Sequence, residues 1–315
     1  MKLIRPKLLS KGDTIGIIAP SFFIEKEMEF KRGIKHLEEM GYKIKYGERV
    51  FSKYRNTTAT AEERAKDIMS MFVDNEIKGI IASDGGCTAI ELLDKLDYNI
   101  ISDNPKVFSG FSDIGHLNIA LLAKSNLLTL YGLDVVNGFG TKIQKDIFNY
   151  NIQFFKKISS ERESVGILPK LNAWENWRSG KAEGCLVGGW IDSIANLANT
   201  TFFPDYDNTI LFWESIDLQP HNLNILLNSL KISGFFKKIR GMIIGNFVNC
   251  KEKEYWDCTP TIKEIVLEAT ESTEMPIIAN VDFGHSNQHL SIPEGVSAFM
   301  DGERCLIKIK ENYCE

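Results

Sequence analysis

The chain has 315 residues, a length that suggests about two domains at ~150 residues per domain and that excludes a small peptide scaffold. Lysine and arginine total 37 against 42 for aspartate and glutamate, so the formal net charge of -5 leaves no general surplus of positive charge for binding a nucleic-acid polymer. Hydrophobic residues make up 43% and charged residues 25%, as in ordinary globular domains, which excludes extensive disorder and a fibrous repeat.

Residues 1–11 carry charges and a proline where a secretion signal needs an unbroken apolar stretch. Apolar runs such as 15–20 and 241–245 have strand length and fall well short of the ~20 residues that span a bilayer. We therefore expect a cytoplasmic protein that does not enter a membrane. The cysteines form no C-x-x-C pair, so we expect reduced thiols rather than a zinc knuckle or a redox pair. They are Cys87, Cys185, Cys250, Cys258, Cys305 and Cys314.

Residues 14–157 alternate short β-branched runs with stretches of helical period, a pattern typical of a parallel sheet covered by helices. Thr60 and Glu63 form a Thr-x-x-Glu capping box that marks the start of one helix. The predicted elements, in chain order, are strand 14–19, helix 25–40, strand 43–46, helix 60–72, strand 78–83, helix 88–96, strand 106–109, helix 113–125 and strand 128–131. The pattern predicts an α/β domain over residues 1–158 with a doubly wound, Rossmann- or flavodoxin-like parallel sheet.

Residues 159–181 break this order with a polar, tryptophan-containing connection, which we interpret as a linker and substrate loop between domains. Residues 182–315 are predicted to form a C-terminal mixed α+β, β-rich domain. Its predicted elements are strand 209–212, helix 220–233, strand 239–245, helix 261–270 and late strands at 296–300 and 304–309. Asp301-Gly302 between the last two runs predicts a type I′ hairpin turn.

Ser112 lies between a predicted strand and a predicted helix, where a hydroxyl projects from a sharp bend and backbone N–H groups can meet an oxyanion. Ligands of open α/β sheets gather beyond the carboxyl ends of the strands, where this turn lies. The position suits a nucleophile, but serine is also a favoured helix N-cap, and both interpretations stay open. Residue 114 is Ile rather than the glycine of G-x-S-x-G, which disfavours an ordinary α/β hydrolase.

Gly85-Gly86 follows another predicted strand and permits a ligand to approach the backbone closely, although adjacent glycines are also a common way to turn a chain. The sequence contains neither G-x-G-x-x-G nor a Walker loop. A nicotinamide dehydrogenase and a P-loop NTPase therefore lack their phosphate-binding loops, and we expect no cofactor.

A serine nucleophile needs a base, and five histidines are present. His285 lies in a glycine-flanked loop, where binding side chains are typically displayed, and is the favoured base. His116 lies one helical turn after the candidate serine and is its rival, whereas His36 is expected to be solvated and His221 to lie in a first helical turn. The spacing His285-x-x-x-His289 lacks the glutamate of H-E-x-x-H, so we expect no metal site.

A carboxylate that orients a catalytic histidine should follow an apolar strand, so that it is partly buried. Glu214 directly follows the apolar run 210–213 and is the candidate. The alternative is an ordinary salt-bridged residue at the end of a strand.

Six short blocks, in this order, resemble those of the serine LD-carboxypeptidase family: Ser83-Asp84-Gly85-Gly86, Asn104-Pro105-Lys106 leading to Gly110-Phe111-Ser112-Asp113, Gly184-Cys185-Leu186-Val187-Gly188-Gly189, Phe212-Trp213-Glu214, Asp282-Phe283-Gly284-His285 and Ile292-Pro293-Glu294-Gly295. The resemblance implies a Ser-Glu-His triad of Ser112, Glu214 and His285, split between two domains. It also implies an oxyanion hole from the backbone N–H groups of Gly86 and Asp113. Further implications are substrate contact at Gly85, a small-molecule or short-peptide substrate, and a homodimer.

Within that family the chain is similar to the microcin C immunity peptidase branch, in which an aromatic residue stacks on the adenine of a peptidyl- or aminoacyl-nucleotide analogue. Trp174 and Trp177 occupy the corresponding loop and are expected to contact substrate, with packing at the domain boundary as the alternative. Trp190, Ser215 and residues 286–288 depart from the family pattern and leave the substrate open. The other functions considered are a murein tetrapeptide LD-carboxypeptidase and a catalytically silent small-molecule-binding protein.

Overall fold

Two β-sheets, one of six strands and one of eight, share a continuous core of buried apolar residues. The structure is a computed structural model that describes residues 3–205, 207–251 and 260–315. Within these ranges no helix is long and apolar enough to cross a bilayer. The expectation for the thiol of Cys258 lies outside the described residues, and the other five cysteines are free thiols.

The strands alternate with helices through the first half and cluster towards the end of the chain. The strands are β1 (Thr14–Ile18), β2 (Lys43–Tyr46), β3 (Ile77–Ala82), β4 (Val107–Gly110), β5 (Thr129–Tyr131), β6 (Gly166–Ile167), β7 (Glu175–Arg178), β8 (Lys181–Trp190), β9 (Thr209–Ile216), β10 (Ile239–Val248), β11 (Ile277–Ala279), β12 (Ile292–Glu294), β13 (Ser297–Asp301) and β14 (Leu306–Ile309). The α-helices are α1 (Glu27–Glu39), α2 (Ala61–Val73), α3 (Tyr98–Asp103), α4 (Gly115–Ser125), α5 (Lys145–Ser160), α6 (Ile191–Leu197), α7 (Pro220–Ile232) and α8 (Ile262–Ala269).

The first sheet has the strand order β12-β5-β4-β3-β1-β2. Strands β1 to β5 pair in parallel, and β12 adds to β5 in the antiparallel sense. Residues such as Ile15, Ile17 and Ile80 are fully buried, because strands covered on both faces carry continuous apolar runs. The parallel order confirms the predicted doubly wound sheet.

The second sheet has the order β6-β14-β13-β8-β9-β10-β11-β7. Its centre, β8 to β11, is parallel, and the flanking strands are antiparallel. The edge strands β6 and β7 lie within residues 159–181, so the connection supplies both margins of this sheet. Because β12 pairs in the first sheet instead, the chain returns to the first sheet after β11 and crosses to the second sheet again for β13 and β14.

The predicted helix starts have mixed outcomes. The Thr60 hydroxyl accepts a hydrogen bond from the Glu63 N–H at 3.3 Å, which confirms the capping box. The predicted helix 88–96 is wrong, since only a short 3₁₀ turn, Ala89–Leu92, forms there. The N–H groups of Thr88 and Ala89 donate to the Asp113 carboxylate, which ties the start of this segment to the next turn of the sheet.

The predicted type I′ turn at Asp301-Gly302 is also wrong. Asp301 pairs with Leu306, so the loop between β13 and β14 contains four residues, 302–305, and its left-handed residue is Cys305 with φ 46°. The Gly302 N–H donates to the Gly180 carbonyl at 2.8 Å. This contact with the connection preceding β8 gives the loop a tertiary partner that an isolated hairpin lacks.

Candidate active site

Ser112 occupies a strained turn at the carboxyl end of β4. Its φ is 60°, in the left-handed region that costs a non-glycine residue roughly 1–2 kcal/mol. It is the first residue of a 3₁₀ turn, and neither that turn nor α4 has Ser112 as its N-cap. The strain therefore has no capping role to explain it, and it is typical of backbone held in place at a functional site.

Glu214 lies near the end of β9 and is fully buried, rather than forming an ordinary surface ion pair. One of its oxygens, Oε2, lies 2.7 Å from Nδ1 of His285 and 3.3 Å from the His285 backbone nitrogen. Gly284 makes this approach possible, because a Cβ at that position would lie 2.4 Å from the Glu214 Cγ. Its φ of +95° also favours glycine.

Tyr131 connects the two sides of the site. Its hydroxyl donates to Glu214 Oε1 at 2.6 Å and accepts from the Ser112 N–H at 3.0 Å. Burial and the neighbouring Glu214 charge raise the pKa of Tyr131 well above its ordinary value, so the phenol keeps its proton. Sequence reasoning recognised this residue only as the end of a strand, and no local motif marks its bridging role.

A cavity of about 320 Å³ brings together residues from both sheets. Ser112 and His285 both line it, as do Gly85 and Gly86. The structure thus places the serine, the favoured histidine and the glycine turn around one space, with Glu214 buried behind the histidine.

Gly86 and Asp113 lie on neighbouring turns that are fastened to each other. A Cβ at Gly86 would lie 2.2 Å from the Ser21 hydroxyl, and its φ is +148°. The Asp113 carboxylate accepts hydrogen bonds from the Ser21 hydroxyl at 2.6 Å and from the N–H groups of Thr88 and Ala89. Burial pushes the pKa of Asp113 upwards, but hydrogen bonds and the charge of neighbouring His116 outweigh it and leave the pKa lowered.

The other histidines have different surroundings. His116 is buried, with Nδ1 at 2.9 Å from the Asp113 carbonyl and Nε2 at 3.2 Å from the Asn196 amide nitrogen, and it does not line the cavity. His36 is not simply solvated as predicted, because its Nδ1 lies 2.7 Å from the Phe139 carbonyl oxygen. His221 lies in the first turn of α7, as predicted.

His289 is a cavity residue that sequence reasoning treated only as a possible metal ligand. It is buried and lines the cavity, and its ring packs edge-on against the Phe111 ring with 4.2 Å between the ring centroids. The His285 ring also contacts Phe111, with 5.0 Å between the centroids. Burial, together with the charge of His285, lowers the pKa of His289 to about 3, so its ring is neutral near neutral pH. Among the described residues no group of three or more metal-ligating side chains is assembled.

The structure does not bring Trp174 or Trp177 to this cavity. Trp174 is buried, and its Nε1 donates to the Asp282 carboxylate at 3.1 Å. Trp177 is half-buried on β7 and lies parallel to Phe247, with ring centroids 6.4 Å apart. Phe247 on β10 pairs with Ser215 on β9, so the edge-strand residue Trp177 packs on a ring whose strand adjoins the end of β9.

Two family models match this chain, one in its N-terminal half and one in its C-terminal half. The LD-carboxypeptidase N-terminal domain matches residues 15–132, and the LD-carboxypeptidase C-terminal domain matches residues 183–300. The chain belongs to the LD-carboxypeptidase family. This family consists of serine peptidases, so the protein is an enzyme of the hydrolase class.

Relatives of two kinds share this architecture. The chain is 28% identical to a probable murein peptide carboxypeptidase of Bacillus subtilis, over 94% of this chain and 91% of that protein. It is 27% identical to the microcin C7 self-immunity protein MccF of Escherichia coli, over 97% of this chain and 95% of that protein. A solved complex of MccF with aspartyl sulfamoyl adenosine has the same fold, with a TM-score of 0.92, 24% identity and coverage of 99% of this chain and 100% of that chain.

Proposed function

We propose that this enzyme is a serine amidase in which Ser112 is the nucleophile, His285 the general base and Glu214 the carboxylate that orients it. The observation that carries the proposal is the position of His285, whose ring lines the Ser112 cavity while its Nδ1 lies 2.7 Å from Glu214. A nucleophile, a base and an orienting group in this relation are the requirements of covalent acyl transfer.

In this reaction Nε2 of His285 takes the proton from the Ser112 hydroxyl as Oγ attacks the amide carbon. A hydrogen bond from Nδ1–H to Glu214 leaves Nε2 unprotonated, which is the tautomer that a base requires. The C–N bond then breaks, and the imidazolium gives its proton to the departing nitrogen. Water, deprotonated by His285, hydrolyses the acyl ester and frees Ser112.

The backbone N–H groups of Gly86 and Asp113 are proposed to bind the oxyanion of the tetrahedral intermediate. The hydrogen bonds from Ser21, Thr88 and Ala89 to the Asp113 carboxylate support this assignment, because they hold the two turns in a fixed relation. Donors that are positioned before the reaction need no reorganisation as charge develops, which is the usual source of oxyanion stabilisation.

The proposed substrate is an amide within a peptidyl- or aminoacyl-nucleotide analogue, as in microcin C immunity. The relation to MccF, whose structure holds aspartyl sulfamoyl adenosine, supports this substrate class. A murein tetrapeptide is the second candidate, and the similar identity to the Bacillus subtilis murein peptide carboxypeptidase favours it.

Parallel kinetics on aspartyl sulfamoyl adenosine and on a murein L,D-tetrapeptide test the proposal, with the Ser112→Ala protein as the blank. We expect the adenylate to have the higher kcat/KM. Preferential release of the terminal D-alanine would instead identify a murein carboxypeptidase. Binding of either compound without turnover would contradict the amidase proposal and indicate a silent binding protein.

Trp177→Ala separates stacking from packing at the sheet margin. Base stacking is worth roughly 1–3 kcal/mol, so a platform at Trp177 predicts about a 5- to 150-fold rise in KM for the adenylate with little change in kcat. Equal KM values in the variant and the wild type would leave Trp177 with only its packing on Phe247. Trp174 is less suited to this test, because its buried indole holds Asp282.

A further inference from the structure

Three of the polar side chains that line the cavity of Ser112 and His285 are joined by hydrogen bonds. They are Lys26, Asp84 and Asn137. The Asn137 amide donates to Asp84 Oδ1 at 2.6 Å, and its oxygen accepts from the Lys26 ammonium at 3.0 Å. A carboxylate and an ammonium are therefore held at the two ends of a single amide, and both lie against the cavity.

Asp84 forms no direct ion pair with any of the described residues. Its Oδ1 accepts hydrogen bonds from Asn137 and from the Gly85 N–H at 2.8 Å, whereas Oδ2 accepts none from the described residues. In the described parts of the chain no lysine, arginine or histidine nitrogen lies within 4.0 Å of either Asp84 oxygen. Burial raises the pKa of Asp84, although the hydrogen bond from Gly85 and the charge of Lys26 act in the opposite direction. A cationic ligand in direct contact with this carboxylate would offset the remaining cost of removing it from water.

A second carboxyl group lies behind the first. Asp134 is fully buried and accepts hydrogen bonds from the backbone N–H groups of Asn137 and Gly138. Its side chain also lies 3.3 Å from the same Asn137 amide nitrogen that serves Asp84. Burial, reinforced by the charge of Asp84, raises the pKa of Asp134 well above its ordinary value, and burial also raises the pKa of Asp84. Two carboxyl groups that share one amide and lie away from water are thus placed side by side at this end of the site.

Lys26 supplies the opposite charge at the solvent side of the cavity. Its side chain is exposed, and one of its three ammonium hydrogens is used by Asn137. The remaining donors can meet a carboxylate that enters with the substrate, and the hydrogen bond to Asn137 limits the motion of a side chain that is otherwise flexible.

We infer that Asp84 and Lys26 form a subsite for a zwitterionic amino-acid group, with Asp84 binding a free ammonium of the substrate and Lys26 binding its carboxylate. This inference rests on the proposed amidase function, since the subsite shares the cavity of Ser112 and His285. It assigns specificity to two residues that take no part in the proposed bond-breaking steps. An acidic aminoacyl group with a free α-amino group, such as an aspartyl group, carries both charges on neighbouring carbons.

Crossed substrate and protein variants test the two contacts separately. The substrates are aspartyl sulfamoyl adenosine, its N-acetyl derivative, which lacks the ammonium, and asparaginyl sulfamoyl adenosine, which lacks the side-chain carboxylate. The protein variants are Asp84→Asn, which keeps an oxygen acceptor for Gly85, and Lys26→Met. Lys31→Met is the matched control, because Lys31 is an exposed lysine on α1 whose recorded ion pair is with Glu27.

We expect Asp84→Asn to lower kcat/KM for the aspartyl substrate by roughly 10- to 100-fold and to leave the N-acetyl derivative unaffected, since a hydrogen bond to a charged group is worth about 1.5–3 kcal/mol. Lys26→Met should lose the preference for aspartyl over asparaginyl and keep the preference for the free ammonium. Lys31→Met should match the wild type on all three substrates. Equal losses on every substrate would overturn the inference and indicate a structural role for the pair.

Failure of the proposed substrate class gives a different result from failure of this subsite. If the wild type hydrolyses none of the three nucleotides but cleaves a murein tetrapeptide, the same variants are compared on that peptide with its amino groups free or acetylated. A preference for the free amino groups that disappears in Asp84→Asn supports the subsite. Indifference of the wild type to acetylation overturns it.

Discussion

Ser112 reaches the cavity from the first sheet and His285 reaches it from the second, and the two are held in place by different means. On the first side the position is set by backbone conformation, with the left-handed residue Ser112 two positions after a buried parallel strand. On the second side it is set by side-chain hydrogen bonds to a carboxylate that is fully buried. Replacing a side chain on the first side should leave the turn intact, whereas the second side depends on a desolvated charge keeping its partners.

The two sides also differ in how they tolerate crowding. The Ser112 turn faces the open cavity, while Glu214 is enclosed by Gly245 and Gly284, where added Cβ atoms would lie 2.9 Å from its Cβ and 2.4 Å from its Cγ. Tyr131 is the one described side chain with recorded hydrogen bonds to both Ser112 and Glu214. The comparison therefore predicts separate effects on activity and on stability.

Removal of either proposed catalytic side chain should have the largest effect. Ser112→Ala and His285→Ala are each expected to lower kcat by roughly 10⁴- to 10⁶-fold, and the double variant should be little worse, because triad members act as a unit. Steady-state kinetics with circular dichroism of each variant is the measurement. His116→Ala is the control and should keep substantial activity; if it lost more activity than His285→Ala, the base would have to be moved to α4.

Gly284→Ala should be the next most damaging change, and it should affect stability as well as rate. The new methyl would overlap the Glu214 side chain, so we expect a loss of about 2–4 kcal/mol in the free energy of unfolding, and a fall in kcat of roughly 10²-fold from displacement of the orienting carboxylate. Gly234→Ala is the matched control, since Gly234 also has positive φ (+79°) but open space around it. Urea unfolding that gave equal losses for both variants would show that backbone strain, rather than crowding of Glu214, is responsible.

Tyr131→Phe tests the bridge between the two sides with a smaller change. Glu214 loses one hydrogen-bond donor and the Ser112 N–H loses its acceptor, so we expect a loss of about 1–3 kcal/mol in stability and roughly a 10- to 100-fold decrease in kcat. Tyr98→Phe removes a hydrogen bond to the Leu93 carbonyl outside the site and should affect stability alone. An unchanged kcat in Tyr131→Phe would mean that the two sides are aligned without this residue.

Glu294 is expected to have the smallest effect on activity, and its replacement concerns stability and the pH dependence of stability. It is fully buried on β12, the strand by which the C-terminal half completes the first sheet, and burial raises its pKa well above the usual 4.5. Because the pKa of Glu294 is raised in the folded protein, the unfolded chain ionises at lower pH than the folded protein does. The contribution of this carboxyl group to stability is therefore complete below pH 4.5 and is lost as pH rises through the folded-state pKa.

Glu294→Gln should therefore gain stability relative to the wild type as pH rises from about 5 to 8, by at most ~1.4 kcal/mol per pH unit. Urea unfolding of both proteins at several pH values measures this difference. If the free energy of unfolding changed with pH in the same way in both proteins, Glu294 would not be responsible for the pH dependence of stability.

Much of the site was predictable because its signals are local. Ser112 lies two residues after the end of β4, the apolar run of β9 leads directly to Glu214, and a glycine precedes His285. Each pattern describes a strand end or a turn, and the resemblance to the LD-carboxypeptidase family joined them into one expected triad. The capping box at Thr60 was predictable for the same reason, since its partners are three residues apart.

The sequence by itself thus determined the parallel first sheet, the turns that carry the candidate residues and the chemical types of those residues. Only the tertiary structure decided that Tyr131 bridges to Glu214, 83 positions away, and that Trp174 binds Asp282, 108 positions away. It also decided that β12 joins the first sheet and that Asp84 faces the cavity with its nearest cation, Lys26, held on the far side of Asn137. The physical reason is that periodicity and turn chemistry act between near neighbours, whereas burial and hydrogen-bond partners depend on which distant segments the packed core brings together.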